Sequence, residues 1–291
     1  MDFANGSSFD NDTGLIDDAL FDNVTGLVDD ASFTEYSSFA NTSSFYAVIP
    51  AGGRSSRMGQ GVDKQFLDLA GIPVLARSLI AFENCDKIKG IVLASPEESH
   101  GQILGLCEKY KISKLMGLAL AGESRQASVL NALIYLDSRL ENYDRAKTFV
   151  LIHDGARPFI KAANLESCME ACQTHQAALL AVPVKDTIKI ADKDKMVVST
   201  PDRDSLWSVQ TPQAFLLDEI LKMHIRAKDL DINFTDDASL TEYYGQPVKI
   251  VEGSYTNIKI TTAEDILIGE SILKAERTEG EKEAEKTEES V

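Results

Sequence analysis

Residues 45–66 run Phe45-Tyr46-Ala47-Val48-Ile49-Pro50-Ala51-Gly52-Gly53-Arg54-Ser55-Ser56-Arg57-Met58-Gly59-Gln60-Gly61-Val62-Asp63-Lys64-Gln65-Phe66. The first part reads as a buried strand, and the rest as a loop with adjacent glycines, two hydroxyl residues, two arginines and a lysine. Small residues let backbone N–H groups approach an anion, and Arg57 and Lys64 can fold back over one phosphate. The pattern is neither of the common phosphate loops. Gly53 and Gly59 are spaced wrongly for GxxxxGK[ST], no Lys-Ser/Thr follows, and GxGxxG is absent.

Asp154, in His153-Asp154-Gly155-Ala156-Arg157-Pro158, follows an apolar run and falls at the carboxyl edge of a sheet. It is either a turn or cap residue or a hard oxygen ligand for Mg²⁺, which takes one or two carboxylates and completes its shell with phosphate oxygens and water. Gly122-Glu123-Ser124-Arg125-Gln126-Ala127-Ser128 opens a long helix. That start is either a plain N-cap or a turn whose amides and Ser128 hydroxyl hold a base edge or phosphate. Arg203, Thr235 and Lys259, taken singly, default to surface or capping roles. His100, His153, His175 and His224 are scattered, form no metal or nucleophile–base set, and none is expected to be catalytic.

Positioning these residues requires an alternation of strands and helices. Strands are expected at 88–95, 114–120, 147–153 and 177–182, and helices at 73–84, 97–110, 124–140 and 161–175. Such alternation with apolar strands implies an α/β fold, a mostly parallel twisted sheet with helices on both faces, whose ligands gather beyond the strands' carboxyl ends. The alternation stops at 183. Residues 184–200 read as a hairpin around Ala191-Asp192-Lys193-Asp194-Lys195, with little core of its own. An isolated hairpin is marginal in water, so a second subunit is a natural packing partner. Helices at 216–228 and 236–244, strands at 247–252 and 257–260, and a helix from 262 to about 275 complete the domain.

The chain has 291 residues and 44% hydrophobic content, enough for one large α/β domain or two small ones with a full core. Its net charge of −17 would oppose an anionic substrate if it were evenly spread. It is not: residues 1–45 carry nine acids and no Lys or Arg, and residues 276–291 carry seven Glu against Arg277, Lys282 and Lys286. The remainder is near balance, so local Arg and Lys clusters decide what binds, and the lack of a basic face argues against nucleic acid. Residues 1–44 contain a 12-residue repeat, Phe9 to Leu20 and then Phe21 to Ser32, and read as a disordered acidic leader. Asp10-Asn11-Asp12-Thr13-Gly14 lacks the Glu that a calcium loop needs at its twelfth position. Residues 276–291 read as an acidic disordered tail. No apolar stretch reaches ~18 residues and the start carries no signal pattern, so no membrane association is expected and the protein reads as cytoplasmic. Cys85, Cys107, Cys168 and Cys172 show no CxxC spacing and read as buried free thiols.

Taken together, ordered stretches over 45–275 resemble the 2-C-methyl-D-erythritol 4-phosphate cytidylyltransferase family, CTP-using enzymes of the non-mevalonate isoprenoid pathway. The likeness is carried by Pro50-Ala51-Gly52-Gly53, Arg57-Met58, Lys64-Gln65, Glu123 with Arg125-Gln126-Ala127-Ser128-Val129, and His153 to Pro158. It continues through Pro183-Val184-Lys185-Asp186-Thr187, Asp202-Arg203, Leu206-Trp207, Gln210-Thr211-Pro212-Gln213, Thr235 to Ser239, Val251-Glu252-Gly253 and Asn257-Ile258-Lys259. The resemblance implies a nucleotidyltransferase fold of the Rossmann type with a protruding hairpin arm, about 184–204, exchanged across a homodimer. It implies that Arg57, Lys64 and Lys259 are catalytic, and that Asp154 holds Mg²⁺ or another divalent cation. Ala51, Gly52, Gly53, Gly122, Glu123 and Ser128 would bind CTP, and Thr187, Arg203, Thr211 and Thr235 the polyol phosphate. Ser55 and Ala121 depart from the family, each standing where a glycine is usual. The similar ribitol 5-phosphate cytidylyltransferases would share every CTP contact and differ at the polyol, and a catalytically silent nucleotide-binding scaffold is a third reading.

Overall fold

The computed structural model describes residues 43–52 and 64–288, leaving aside the side chains of Lys64 and of 279–288. The leader and the readings at Gly53, Ser55 and Arg57 lie outside the described residues. In chain order the elements are β1 (Ser44–Pro50), a 3-10 turn (Lys64–Phe66), β2 (Asp68–Leu69), β3 (Ile72–Pro73), α1 (Val74–Glu83), β4 (Ile88–Ser95), α2 (His100–Lys109) and β5 (Leu115–Leu120). Then come α3 (Arg125–Arg139), β6 (Thr148–Ile152), α4 (Ala162–His175), β7 (Ala177–Pro183), β8 (Ile190–Ala191), β9 (Val197–Ser199), β10 (Trp207–Leu216), α5 (Leu217–Asp229), α6 (Asp237–Tyr243), β11 (Lys249–Glu252) and α7 (Ala263–Glu288).

The main sheet runs in the order β11-β7-β10-β6-β1-β4-β5. β1 pairs in parallel with β4 and β6, β4 with β5, and β7 with β11; only β10, set between β6 and β7, runs antiparallel to its neighbours. Successive strand residues serve opposite faces. Ile49, Leu93 and Leu151 pack on one face with Leu75 and Phe82 of α1, Ile103 of α2 and Leu165 of α4. Val48, Val92 and Val150 pack on the other with Val129 and Leu133 of α3, Ile220 of α5 and Leu240 of α6. The mostly parallel, two-sided sheet expected from the alternation is present. The four cysteines are free and buried.

Three segments differ from expectation. The pattern assigned no strand to 207–215, where most of β10 runs. Pro212 and two glutamines disguise it, and the ladder with β7 shifts register between Val209 and Gln213, so the proline sits where pairing lapses. Residues 257–260 form no strand: the segment is held by single bonds, Ile260 N–H to the Ala156 carbonyl and the Arg157 guanidinium to the Asn257 carbonyl. The last helix continues through 276–288 rather than ending near 275, since this Glu/Lys/Ala-rich stretch has high intrinsic helix propensity despite Gly280.

β8 and β9 pair only with each other. Asp192 closes their turn by accepting from the Asp194 and Met196 N–H groups. Ile188, Ile190, Met196, Val197 and Val198 are 41–67% exposed, so this hairpin has no core among the described residues.

Candidate active site at the carboxyl ends of the sheet

A cleft of about 490 Å³ crosses the carboxyl ends of β5, β4, β1 and β6. Pro50, Ala51 and Gly52 follow β1, Pro96 and Glu98 follow β4, Gly122 to Arg125 follow β5, and Asp154 to Ala156 follow β6. This is where parallel sheets bind ligands, because strands end there and loops from neighbouring elements converge.

Asp154 is 7% exposed, yet its carboxylate lines the cleft. Arg125 Nε donates to Oδ1 at 2.9 Å, and Lys259 Nζ reaches Oδ2 at 2.6 Å. Burial by itself would push this carboxyl up; Arg125 and then Lys259 outweigh burial and hold it well below the usual carboxylate range. Arg125 also donates through Nη1 to Asp237 Oδ2 at 2.8 Å, and the other oxygen of Asp237 meets His224 Nε2 at 3.1 Å. One guanidinium thus joins β6, α3 and α6. A buried charge network of this kind fixes geometry at the cost of desolvation, and loss of one member leaves the others uncompensated.

The backbone of Asp154 is fixed from beneath. His153 Nε2–H donates to the Arg157 carbonyl at 3.1 Å, which leaves Nδ1 to accept from the Thr211 hydroxyl at 3.1 Å. Thr211 Oγ1 in turn accepts from the Asp154 N–H at 3.1 Å. Burial lowers the His153 pKa to about 4, so the ring is neutral, as this bonding requires.

The turn before α3 is self-contained. Ser124 caps the helix by accepting from the Ala127 N–H, while Ser128 Oγ accepts from the Gly122 N–H at 3.0 Å and donates to the Ser124 carbonyl at 2.8 Å. A side chain at Gly122 would place its Cβ 2.4 Å from that of Ala127. One at Gly52 would meet the Ala121 methyl at 2.9 Å, so Ala121 is accommodated because position 52 is glycine.

Of the residues singled out in the sequence, Ala51, Gly52, Gly122, Glu123, Ser128, Asp154 and Lys259 are brought together around this cleft. The Lys64 backbone opens the 3-10 turn nearby, and Arg57 and Gly53 lie outside the described residues. Thr211 is buried, its hydroxyl engaged as above. Thr187 and Arg203 are exposed at the base of the hairpin, where Arg203 Nη1 approaches the Lys185 carbonyl at 3.3 Å, and Thr235 is exposed before α6. Arg125 and Asp237 were not singled out for roles, although both stand in quoted motifs. Their pairing spans 112 positions, and nothing in local sequence signals it.

Among the described residues no group of three or more His, Cys, Asp or Glu comes together. The donor set fits a hard cation held by the one carboxylate of Asp154 and completed by phosphate oxygens and water.

The family model for 2-C-methyl-D-erythritol 4-phosphate cytidylyltransferase matches residues 45–275. The enzyme of that name from Geobacillus thermodenitrificans is 45% identical over 230 residues, covering 79% of this chain and 97% of the relative. The one from Pelotomaculum thermopropionicum is 44% identical over 232 residues, covering 79% and 94%. The crystal structure of 4-diphosphocytidyl-2C-methyl-D-erythritol synthase from Anaerococcus prevotii superposes with a TM-score of 0.69 at 30% identity, covering 80% of this chain and 96% of that one. With its sheet, cleft and Asp154 network in place, this chain belongs to the 2-C-methyl-D-erythritol 4-phosphate cytidylyltransferase family.

Proposed function

We propose that the protein transfers the cytidylyl group of CTP to 2-C-methyl-D-erythritol 4-phosphate, giving 4-diphosphocytidyl-2-C-methyl-D-erythritol and pyrophosphate. The observation that carries this reading is the Asp154 carboxylate, ionised and held between Arg125 and Lys259 in the cleft. A phosphate monoester has its second pKa near ~6, so the substrate is mostly dianionic at neutral pH and needs no general base. One of its oxygens attacks the α-phosphorus of CTP; the bond from that phosphorus to the bridging oxygen breaks, and pyrophosphate leaves with the electron pair. What remains for the protein is positioning and stabilisation of charge.

In this reading Arg57, Lys64 and Lys259 stabilise the phosphates as charge shifts to the leaving group. Gly122, Glu123 and Ser128 face the cytosine, and Ala51, Gly52 and Gly53 present backbone to the triphosphate. Asp154 holds Mg²⁺, which when bound neutralises phosphate charge. Thr187 and Arg203 reach the polyol phosphate in the site of a second subunit, the hairpin being exchanged across a homodimer, with Thr235 at the same end; Thr211, expected there too, uses its hydroxyl to brace Asp154 instead. The unpartnered apolar side chains of the hairpin support the exchange. The reaction takes place in the cytoplasm.

The test is pyrophosphate release from CTP and Mg²⁺ with each polyol phosphate supplied separately. Turnover with 2-C-methyl-D-erythritol 4-phosphate is expected; preference for ribitol 5-phosphate, or no turnover with either, would overturn the reading.

A further inference from the structure

Gln65, in the 3-10 turn Lys64–Phe66, is 3% exposed and lines the cleft. Its Nε2 has no hydrogen-bond partner among the described residues. Ser95, Arg157, His224, Tyr244 and Asn257 also hold a buried side-chain atom without a partner, but none of them lines this cleft. A buried amide without a partner is costly, and native structures keep such groups mainly where function uses them.

The fold says on which side of the cleft Gln65 stands. The turn packs on α1, and Phe66 joins the cluster on that helix's face of the sheet. A side chain at Gly155 would meet Leu75 of the same helix at 2.9 Å, so Gly155 also lies over α1. The Gly122–Ser128 turn leads instead into α3, which packs on the opposite face. Gln65 therefore stands on the α1 side of the cleft with Gly155, whereas the turn assigned to the base leads into α3 on the other side.

We propose that Gln65 binds the nucleotide, donating from its carboxamide N–H to a phosphate oxygen of CTP. This rests on the cytidylyltransferase reading. The amide is neutral, so it contributes direction where Lys259 contributes charge, and it keeps its donor at every pH at which the enzyme works.

The test uses the full chain with Gln65→Leu and Gln65→Glu, measuring thermal melting without ligand, calorimetric titration with CTP and Mg²⁺, and competition by cytidine, which has no phosphate. Leu removes a donor that no group among the described residues uses, so its melting midpoint should equal or exceed that of the wild type. Its affinity for CTP should fall roughly tenfold to hundredfold, the range for a hydrogen bond to a charged group, with cytidine competition unchanged. Glu, turning an acceptor toward the phosphates, should weaken CTP further still; it serves alone if the Leu variant does not fold. A lowered midpoint with wild-type CTP affinity would make Gln65 structural and overturn the proposal, and equal weakening of CTP and cytidine would move the contact to the base and overturn it too. Wild-type protein that does not bind CTP would overturn the cytidylyltransferase reading and this one with it, whereas wild-type and Leu proteins binding CTP equally would overturn this one alone.

Discussion

In the cleft, both oxygens of Asp154 are engaged by cations, its N–H is held by Thr211, and the next arginine contact runs on to a buried Asp237. At the hairpin, Thr187 and Arg203 are exposed, and Arg203 reaches one carbonyl at 3.3 Å. The first region is preorganised by one chain, its dipoles and charges fixed before any ligand arrives. The second has neither core nor network of its own and can be precise only against something else. One region is built into the sheet, and the other is an element that must be seated.

If that contrast holds, changes in the cleft should damage fold and catalysis together. Arg125→Met leaves Asp237 buried beside His224 and removes one partner of Asp154. A loss of about 3–5 kcal/mol in unfolding free energy is expected, and denaturant titration reading near wild type would break the contrast at its centre. Asp154→Asn keeps the shape but removes the charge that Arg125 and Lys259 share. Loss of kcat by roughly a thousandfold is expected, as for removal of one preorganised electrostatic group, and single-turnover kinetics with CTP would register it.

Acid should act first on the layer beneath. The His153 pKa is lowered from 6.5 to about 4, with burial the leading cause. Between those values the unfolded chain binds the extra proton, so this contribution is complete above pH 6.5 and falls away down to about pH 4, a loss of about 3 kcal/mol. Asp154, held lower, keeps its contribution through that window and loses it only in stronger acid. Melting followed from pH 7 to pH 4.5 should show the decline, and His153→Gln should flatten it; an unchanged slope would assign the decline elsewhere.

The hairpin should show the smallest and most selective effect. Arg203→Ala should leave thermal stability alone while raising KM for the polyol phosphate roughly tenfold to hundredfold. Mixing it with Asp154→Asn should produce sites of wild-type KM that neither variant has alone, because in a dimer that exchanges the hairpin one mixed site carries both native residues. No recovery after subunit exchange would confine the hairpin to its own chain and sharpen the comparison the other way.

How far each region could be read ahead of the structure follows the same division. β4, α1, α3 and β6 were legible because their apolar periodicity matches how they are buried, and Ser124 marks the start of α3 by its chemistry. β10 was not, because local rules treat Pro212 as a break while the tertiary register finds a place for it. The hairpin was visible as alternation around a polar turn. The charge relay was not: Arg125, Asp154 and Asp237 are each ordinary polar residues in their own segments.

By itself the sequence determined the alternation and the ordered motifs that mark the family, since both depend on neighbours along the chain. Only the tertiary structure decided that Arg125 would bridge two carboxylates, that Thr211 and His153 would brace the Asp154 backbone, and that the Gln65 amide nitrogen would be buried with no partner among the described residues. Those facts depend on distances between segments far apart in sequence, set when the strands pair and the helices close over both faces. A buried charge or amide takes its meaning from what lies within a few ångströms of it, and only folding specifies that.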